Sequence, residues 1–324
     1  MKFRVIGLVL AVLLAGSLIL PGFAATAEDP SAAENANTEI VEAEAGQSGI
    51  YLDGELVETL EHQAINNVYY VTVESFVAML DSEAMVEEED GSVTVNASTV
   101  TEVVDVTDAE AEETFAAAPE GEEAAEANVV EETLTLSADA GAYFLVANDR
   151  YLYVENGLVL INEKVAAPIR VLAKAFNLNV DYDGETRSVL LTRQEDADAY
   201  LENGSTFYDG DTLYWLSRII YSESGNQPLL GMLAVGNVVM NRVENPRFPN
   251  TIYEVLFQRN QFSPAASGSI YRTPSAVCEI AAKLVMDGAT VLDTALFFNM
   301  AGMRTYASRN RTYVATIGDH AFYA

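Results

Sequence analysis

The sequence predicts an α+β protein: a mostly helical C-terminal domain with a small β-hairpin, preceded by a duplicated small α+β module. Three observations predict it. Residues 51–80 and 146–176 resemble each other, a helical apolar periodicity sets in after Tyr208, and the charge divides between the two parts. Residues 205–324 carry nine acidic and nine basic side chains, so the whole net charge of −32 lies in residues 1–204. The 324 residues suit about two domains at ~150 residues each, and a composition that is 50% apolar supplies a core readily. A neutral unit behind an acidic one lacks the concentrated basic surface that nucleic acid requires. The acidic half reads as a solvated or cation-attracting segment, with solvation the plainer of the two readings.

The chain opens with Lys2 and Arg4, an apolar run from Val5 to Leu20, the breakers Pro21 and Gly22, and then Ala25-Thr26-Ala27. This is the pattern of a secretory signal peptide over 1–27, cleaved before Glu28. Left uncleaved, it would be the chain's one membrane anchor. The protein is therefore expected to be secreted, extracellular or cell-wall associated. Residues 28–47 have no hydrophobic period and read as a linker. Cys278 is the only cysteine, so an exported chain must be stable without an internal disulfide.

Residues 48–196 hold the duplication. In each copy a short alternating strand pair precedes an apolar helix, Val73 to Leu80 in one and Ile169 to Phe176 in the other. An acidic turn follows (Asp90-Gly91, Asp183-Gly184), then a β-rich exit, "SVTVN" or "SVLLT". Two copies make an internal duplication, not a solenoid. Between them an acidic insert near 98–141, richest in Ala and Glu over 107–132, is expected to be disordered or loosely helical. The run Pro168-Ile169-Arg170, Ala173-Lys174-Ala175-Phe176 and Val180-Asp181-Tyr182-Asp183 resembles the copper amine oxidase N-terminal-like domain of exported bacterial proteins. A copper site wants clustered imidazoles, and this region has only His62. The module is expected to be a non-catalytic wall-association or spacer element with a wall or protein partner.

In the C-terminal unit, Leu213, Leu216 and Ile220 share one helix face, and Gly225 marks its stop. Asn226 or Gln227 is the expected cap of the next helix, with Pro228 in its first turn and a stripe of Leu229, Met232, Gly236, Val239 and Val243. Thr251 and Glu254 have capping-box spacing. Thr273 and Pro274 open a helix whose inward face is Val277, Ile280, Ala281 and Leu284, ended by Gly288. "TALFF" and "YVATIGDHAFY" read as the strands of a terminal hairpin.

Glu223 falls on the edge of the first helix's apolar face. As an ordinary helix-end residue it would reach solvent or a neighbour such as Arg218. On the core side it would be partly desolvated, which raises a carboxyl pKa. An acid held protonated near neutrality is what glycoside cleavage needs to protonate the leaving oxygen.

The stretches "SRIIYSES", "AVGNVVMNRV", "FPNTIYEVLFQRNQFSP", "ALFFN" and "IGDHAFY" are similar, in order, to the cell wall hydrolase family of spore cortex-lytic enzymes over 212–324. The resemblance implies a lysozyme-like fold, peptidoglycan as substrate and lytic transglycosylase chemistry, with Glu223 matching the family's catalytic Glu. Some members have been described as amidases. This chain has Ser224 where the family commonly has Ala and Met232 where it often has Gln. Glu223 would protonate the oxygen between N-acetylmuramic acid and N-acetylglucosamine, then take the proton of the attacking muramoyl 6-hydroxyl. No cofactor or metal is expected.

The candidate substrate-binding residues are Gln261, Phe262, Ser263, Tyr271, Asn299 and His320, with Tyr306 a further stacking candidate. Phe262 could equally pack into the core and Asn299 serve a turn, while Asn237 and Asn241 read as buried hydrogen-bonding residues. Asp287, Asp293 and Asp319 are the available second carboxylates for a hydrolytic muramidase, the first two in positions that suit capping. A zinc amidase would need several His, Asp or Glu ligands, and this unit has only His320. A cysteine peptidase would pair Cys278 with His320, but Cys278 lies on an apolar helix face. The remaining rival is an inactive wall-binding protein.

Overall fold

The computed structural model describes residues 49–103, 128–194 and 197–324. The expected signal peptide and the whole of the linker lie outside these residues. No helix among them is long and apolar enough to cross a membrane.

The same order of elements occurs twice in the N-terminal part. The first run is β1 (Ile50–Leu52), β2 (Glu55–Leu56), β3 (His62–Ile65), β4 (Val68–Thr72), α1 (Val73–Leu80), β5 (Met85–Glu89) and β6 (Ser92–Val103). After β7 (Asn128–Asp139) come β8 (Phe144–Ala147), β9 (Arg150–Tyr153), β10 (Val159–Ile161), β11 (Lys164–Pro168), α2 (Ile169–Ala175), β12 (Leu178–Asp183) and β13 (Ser188–Arg193). Five of the hairpins close through two-residue turns in which both residues have positive φ: Asp53-Gly54, Asn66-Asn67, Asp90-Gly91, Asn148-Asp149 and Asn162-Glu163. That backbone matches the strands' twist, and it selects Asn, Asp and Gly.

The runs interleave. β1 pairs in parallel with β13, giving a sheet of order β12-β13-β1-β2. β4 pairs with β11, giving β10-β11-β4-β3. The third sheet is β5-β6-β7-β8-β9. Alternate residues Val93, Val95 and Ala97 of β6 and Leu134, Leu136 and Ala138 of β7 face one core, shared with Phe76 and Val77 of α1 and Leu172 and Ala173 of α2.

The acidic insert is narrower than its composition implies. Residues 98–103 extend β6, and Asn128–Asp139 pairs with β6 in unbroken register from Ser92↔Asp139 to Val103↔Asn128. Alternating Val, Leu and Thr on these flanks supply the β preference that the Ala/Glu count conceals. Residues 104–127 lie outside the described part.

The C-terminal part comprises α3 (Gly204–Phe207), α4 (Gly210–Ser224), α5 (Leu229–Glu244), α6 (Ile252–Phe257), α7 (Ser263–Ser267), a 3-10 turn (Ser269–Tyr271), α8 (Ala276–Met286), β14 (Phe297–Met300), α9 (Tyr306–Asn310), β15 (Tyr313–Ile317) and β16 (His320–Tyr323). Leu216, Ile219 and Ile220 of α4 meet Leu233 and Val239 of α5 and Cys278, Ala281 and Leu284 of α8. Gly236 permits this approach, because a Cβ there would lie 2.9 Å from Val285 and 3.2 Å from Ile220. The small sheet, of order β14-β16-β15, packs Phe322 against Ala234, Val235 and Val238 on the other side of α5.

Two expected caps are replaced. Pro228 holds the cap position of α5 without a side-chain bond, since the Gln227 amide is used elsewhere. α8 begins after Ser275, not Thr273, and Ser275 Oγ instead bonds Cys278 Sγ at 3.2 Å. The first C-terminal strand runs Phe297–Met300, two residues later than the centre of apolarity at "TALFF".

The two parts are packed together. Phe144, Tyr151 and Tyr153 from β8 and β9 join the helical core. Their meeting point is Asp287, just past α8, whose side chain is 1% exposed. It accepts two hydrogen bonds from the Arg150 guanidinium (3.0 and 2.8 Å), one from Lys174 Nζ (2.7 Å) and one from Tyr208 Oη (2.9 Å). Burial pushes the Asp287 carboxyl up, but the hydrogen bonds and charges of Arg150 and Lys174 outweigh it and hold the pKa below its ordinary value. Asp287 is therefore neither an exposed cap nor a free second carboxylate; it ties the module to the helical domain.

Candidate active site

α4 delivers Glu223. Asp209 caps the helix by accepting from the Thr212 N–H at 2.8 Å, and Leu216, Ile219 and Ile220 fix its buried face. One turn beyond them, Glu223 emerges at the rim of that face. The chain then leaves tightly. A Cβ at Gly225 would sit 2.6 Å from the Tyr221 carbonyl oxygen and 2.9 Å from its ring, so the close approach itself requires glycine. Gln227 pins the departing segment: Nε2 donates to Asp319 Oδ2, and Oε1 accepts from the Asp319 N–H, each at 2.9 Å. The turn after α4 is thereby locked to the β15–β16 turn.

A cleft of about 360 Å³ opens here, lined by Tyr221, Ser222, Glu223 and Asn226 on one side and by Ser269 and Arg272 on the other. Among the described residues, no cation and no hydrogen-bond donor engages the Glu223 carboxyl. Desolvation without a compensating partner raises its pKa. Arg218, the neighbour that would have neutralised it, lies over the Tyr214 ring at 3.5 Å and bonds the Tyr214 carbonyl. Ser224 turns inward and spends its hydroxyl on the Ile220 carbonyl (2.9 Å). Ser222 Oγ is buried with no partner.

The other sequence candidates are dispersed. Gln261 and Ser263 are exposed beside α7, but Phe262 between them is 5% exposed and belongs to the core, so it offers no face to a sugar. Asn299 uses both amide ends locally, donating to the Met300 carbonyl and accepting from Thr305 Oγ1. Tyr271 is 57% exposed, with its ring 6.0 Å from Trp215, next to the cleft residue Arg272. Tyr306 is exposed near Arg311. His320 is half-buried edge-on to Phe298, and its Nδ1 has no partner. Burial lowers its pKa against the opposing pull of Asp319. Asn237 and Asn241 bond the backbone between Ala289 and Ala295. Cys278 is buried, and burial raises its thiol pKa. Among the described residues no group of three or more His, Cys, Asp or Glu could hold a metal ion.

Sequence reasoning missed Tyr221, Ser222, Asn226, Ser269 and Arg272 as cleft residues. The first three lie within three residues of Glu223 and could have been proposed by proximity. The last two reach the cleft only because the 3-10 turn folds back onto α4, which no local periodicity signals.

Residues 226–323 match the family model for the cell wall hydrolase, and residues 121–208 match that for the copper amine oxidase N-terminal domain. Glu223 lies three residues ahead of the first match. The chain is 33% identical over 119 residues to a spore cortex-lytic enzyme of Bacillus cereus, which covers 36% of this chain and 45% of the relative. It is 28% identical over 126 residues to the spore cortex-lytic enzyme of Bacillus subtilis, covering 39% and 41%. The chain thus spans less than half the length of these relatives. Among solved structures it is similar to the catalytic domain of the germination-specific lytic transglycosylase SleB from Bacillus anthracis, at 30% identity and a TM-score of 0.35, over 38% of this chain and 100% of that one. The SleB catalytic domain of Bacillus cereus gives 29%, 0.34, 40% and 99%. The chain joins a copper amine oxidase N-terminal domain to a C-terminal domain of the cell wall hydrolase family.

Proposed function

We propose that the C-terminal domain is a peptidoglycan lytic transglycosylase that cuts the bond between N-acetylmuramic acid and N-acetylglucosamine, with Glu223 as both acid and base. The observation that carries this reading is a desolvated carboxyl with no partner, set in a cleft that has no other acidic lining residue. Unpaired and desolvated, Glu223 keeps its proton above the usual carboxyl range, ready for the glycosidic oxygen. Once ionised, the same group is the base for the muramoyl 6-hydroxyl. That hydroxyl closes on the anomeric carbon, leaving a 1,6-anhydro end. An inverting hydrolase would need a second carboxylate opposite the first to activate water. Asp287, one sequence candidate for that part, is taken by Arg150, Lys174 and Tyr208.

The relatives' role in spore cortex lysis supports peptidoglycan as the substrate, and with it a place outside the cytoplasm. The test is Glu223→Gln, which keeps the shape and removes the proton. Loss of a general acid–base group costs roughly 10²–10⁴-fold. Purified walls should lose turbidity with the native chain and not measurably with the variant, at equal thermal stability. A variant that still clears walls at the native rate would remove Glu223 from the chemistry.

A further inference from the structure

The cleft holds a second group that the reaction does not use. Arg272 lines it with Glu223, yet the two form no ion pair, and no other carboxylate among the described residues lies within ion-pair distance of Arg272. Its placement is fixed by the backbone. Gly268, at a φ of 79°, reverses the chain after α7, and the following 3-10 turn packs against α4. The Arg272 N–H closes that turn on the Ser269 carbonyl at 3.2 Å, and Tyr271 leans on Trp215 of α4. Arg272 is thus held on the wall facing the end of α4, exposed and without a counter-ion. Eight other arginines have a side-chain hydrogen bond, ion pair or ring contact (Arg150, Arg170, Arg193, Arg218, Arg242, Arg247, Arg309 and Arg311), and of the described arginines without one, Arg272 is the one that lines the cleft.

An arginine fork without a carboxylate partner, in a cleft otherwise lined by neutral polar groups and one acid that makes no ion pair with it, selects an anionic ligand. Resting on the transglycosylase reading, we propose that Arg272 is a specificity-determining residue that binds a carboxylate on the substituent of the muramoyl sugar. Two sources carry that chemistry: the free lactyl carboxylate of a muramoyl unit without its peptide, and the carboxylates of an intact peptide stem. Arg272 and Glu223 line the same cleft, so the charged substituent is recognised while the glycosidic oxygen faces the acid. Its contribution is to binding and orientation; the proton transfers remain with Glu223.

The test compares three walls: native, stripped of stems by an amidase so that lactyl carboxylates remain, and carbodiimide-amidated so that both kinds of carboxylate are neutral. A charge-assisted bond should make KM on the amidated wall about tenfold higher than on the wall carrying the recognised carboxylate. Whichever of the other two walls keeps the low KM names the source. Arg272→Gln should raise KM on that wall to the amidated value, and Arg272→Lys should recover part of the difference. A direct readout uses the Glu223→Gln chain: calorimetric binding of a soluble muropeptide should weaken about tenfold on amidation, and equally on adding Arg272→Gln. Equal KM on all three walls, or no effect of Arg272→Gln on the discrimination, overturns the proposal while leaving the transglycosylase reading intact. Failure of the native chain to cleave any wall defeats that reading instead, and the binding measurement still decides the carboxylate site.

Discussion

At the scale of the residue, Glu223 is defined by what does not touch it. The Arg218 side chain, five residues before Glu223, is stacked on Tyr214, and the Ser224 hydroxyl is spent on backbone. Its raised pKa has a direct kinetic consequence. In the proposed mechanism the acid starts the cycle protonated, so kcat/KM should fall as pH rises through the folded value, above the ordinary 4.5. A pH–rate profile on solubilised glycan strands checks this; an alkaline limb that survives in Glu223→Asp shifted in position would support it, and a flat profile from pH 4 to 8 would contradict it. The stability sign follows from the same shift. A carboxyl whose folded pKa is raised destabilises the fold once pH exceeds that value, because its charge must then be buried. Glu223→Gln should therefore melt at the same temperature as the native chain or slightly higher at pH 7, and a lower melting temperature would argue for an unseen partner.

At the scale of the element, α8 and β9 are coupled through one buried charge cluster. Asp287→Asn leaves the Arg150 guanidinium, whose side chain is 7% exposed, without its counter-charge, a loss of about 3 kcal/mol. Replacing the pair together, Arg150→Met with Asp287→Leu, should recover most of that, since apolar packing commonly matches a buried ion pair. Asp287 has a depressed folded pKa, so its contribution is present above the unfolded carboxyl range and fades as pH falls through the folded value. The gap in unfolding free energy between native chain and Asp287→Asn, measured by urea titration, should narrow as pH drops from 6 toward 3. A constant gap would mean the cluster's charge is immaterial. This cluster also marks where sequence reading stops. The helix bounds Val73–Leu80 and the order of strands were legible because a period of 3.6 or 2 and the Asp-Gly and Asn turn pairs are local signals. That Arg150, Lys174, Tyr208 and Asp287 converge was not legible, because they come from four elements and nothing in their spacing links them. The same holds for the site: Glu223 could be read from its place on an apolar face, whereas Arg272 and Ser269 reach the cleft only through tertiary folding. Phe262 and Asn299 were chosen for their chemistry, and packing then assigned them to the fold.

At the scale of the whole molecule, the described residues form one compact unit despite two family matches. The connecting stretch is stitched in: Tyr200 and Leu201 sit in the module's core, and Tyr208 accepts from the Tyr151 N–H at 2.9 Å while donating to Asp287. Calorimetry should show a single transition for the chain, and the excised 205–324 fragment should melt several degrees lower, because it exposes the α8 face that Tyr151 and Tyr153 cover. Two resolved transitions, or a fragment as stable as the whole, would show the parts to be energetically independent. Chemistry is therefore best measured on the full chain. The most direct test of the central claim is mass spectrometry of the fragments that the full chain releases from purified peptidoglycan, beside its Glu223→Gln variant. One carboxyl acting as acid and base gives 1,6-anhydromuramoyl ends from the native chain and none from the variant. Reducing ends, freed peptide stems, or anhydro products that persist in the variant would contradict it.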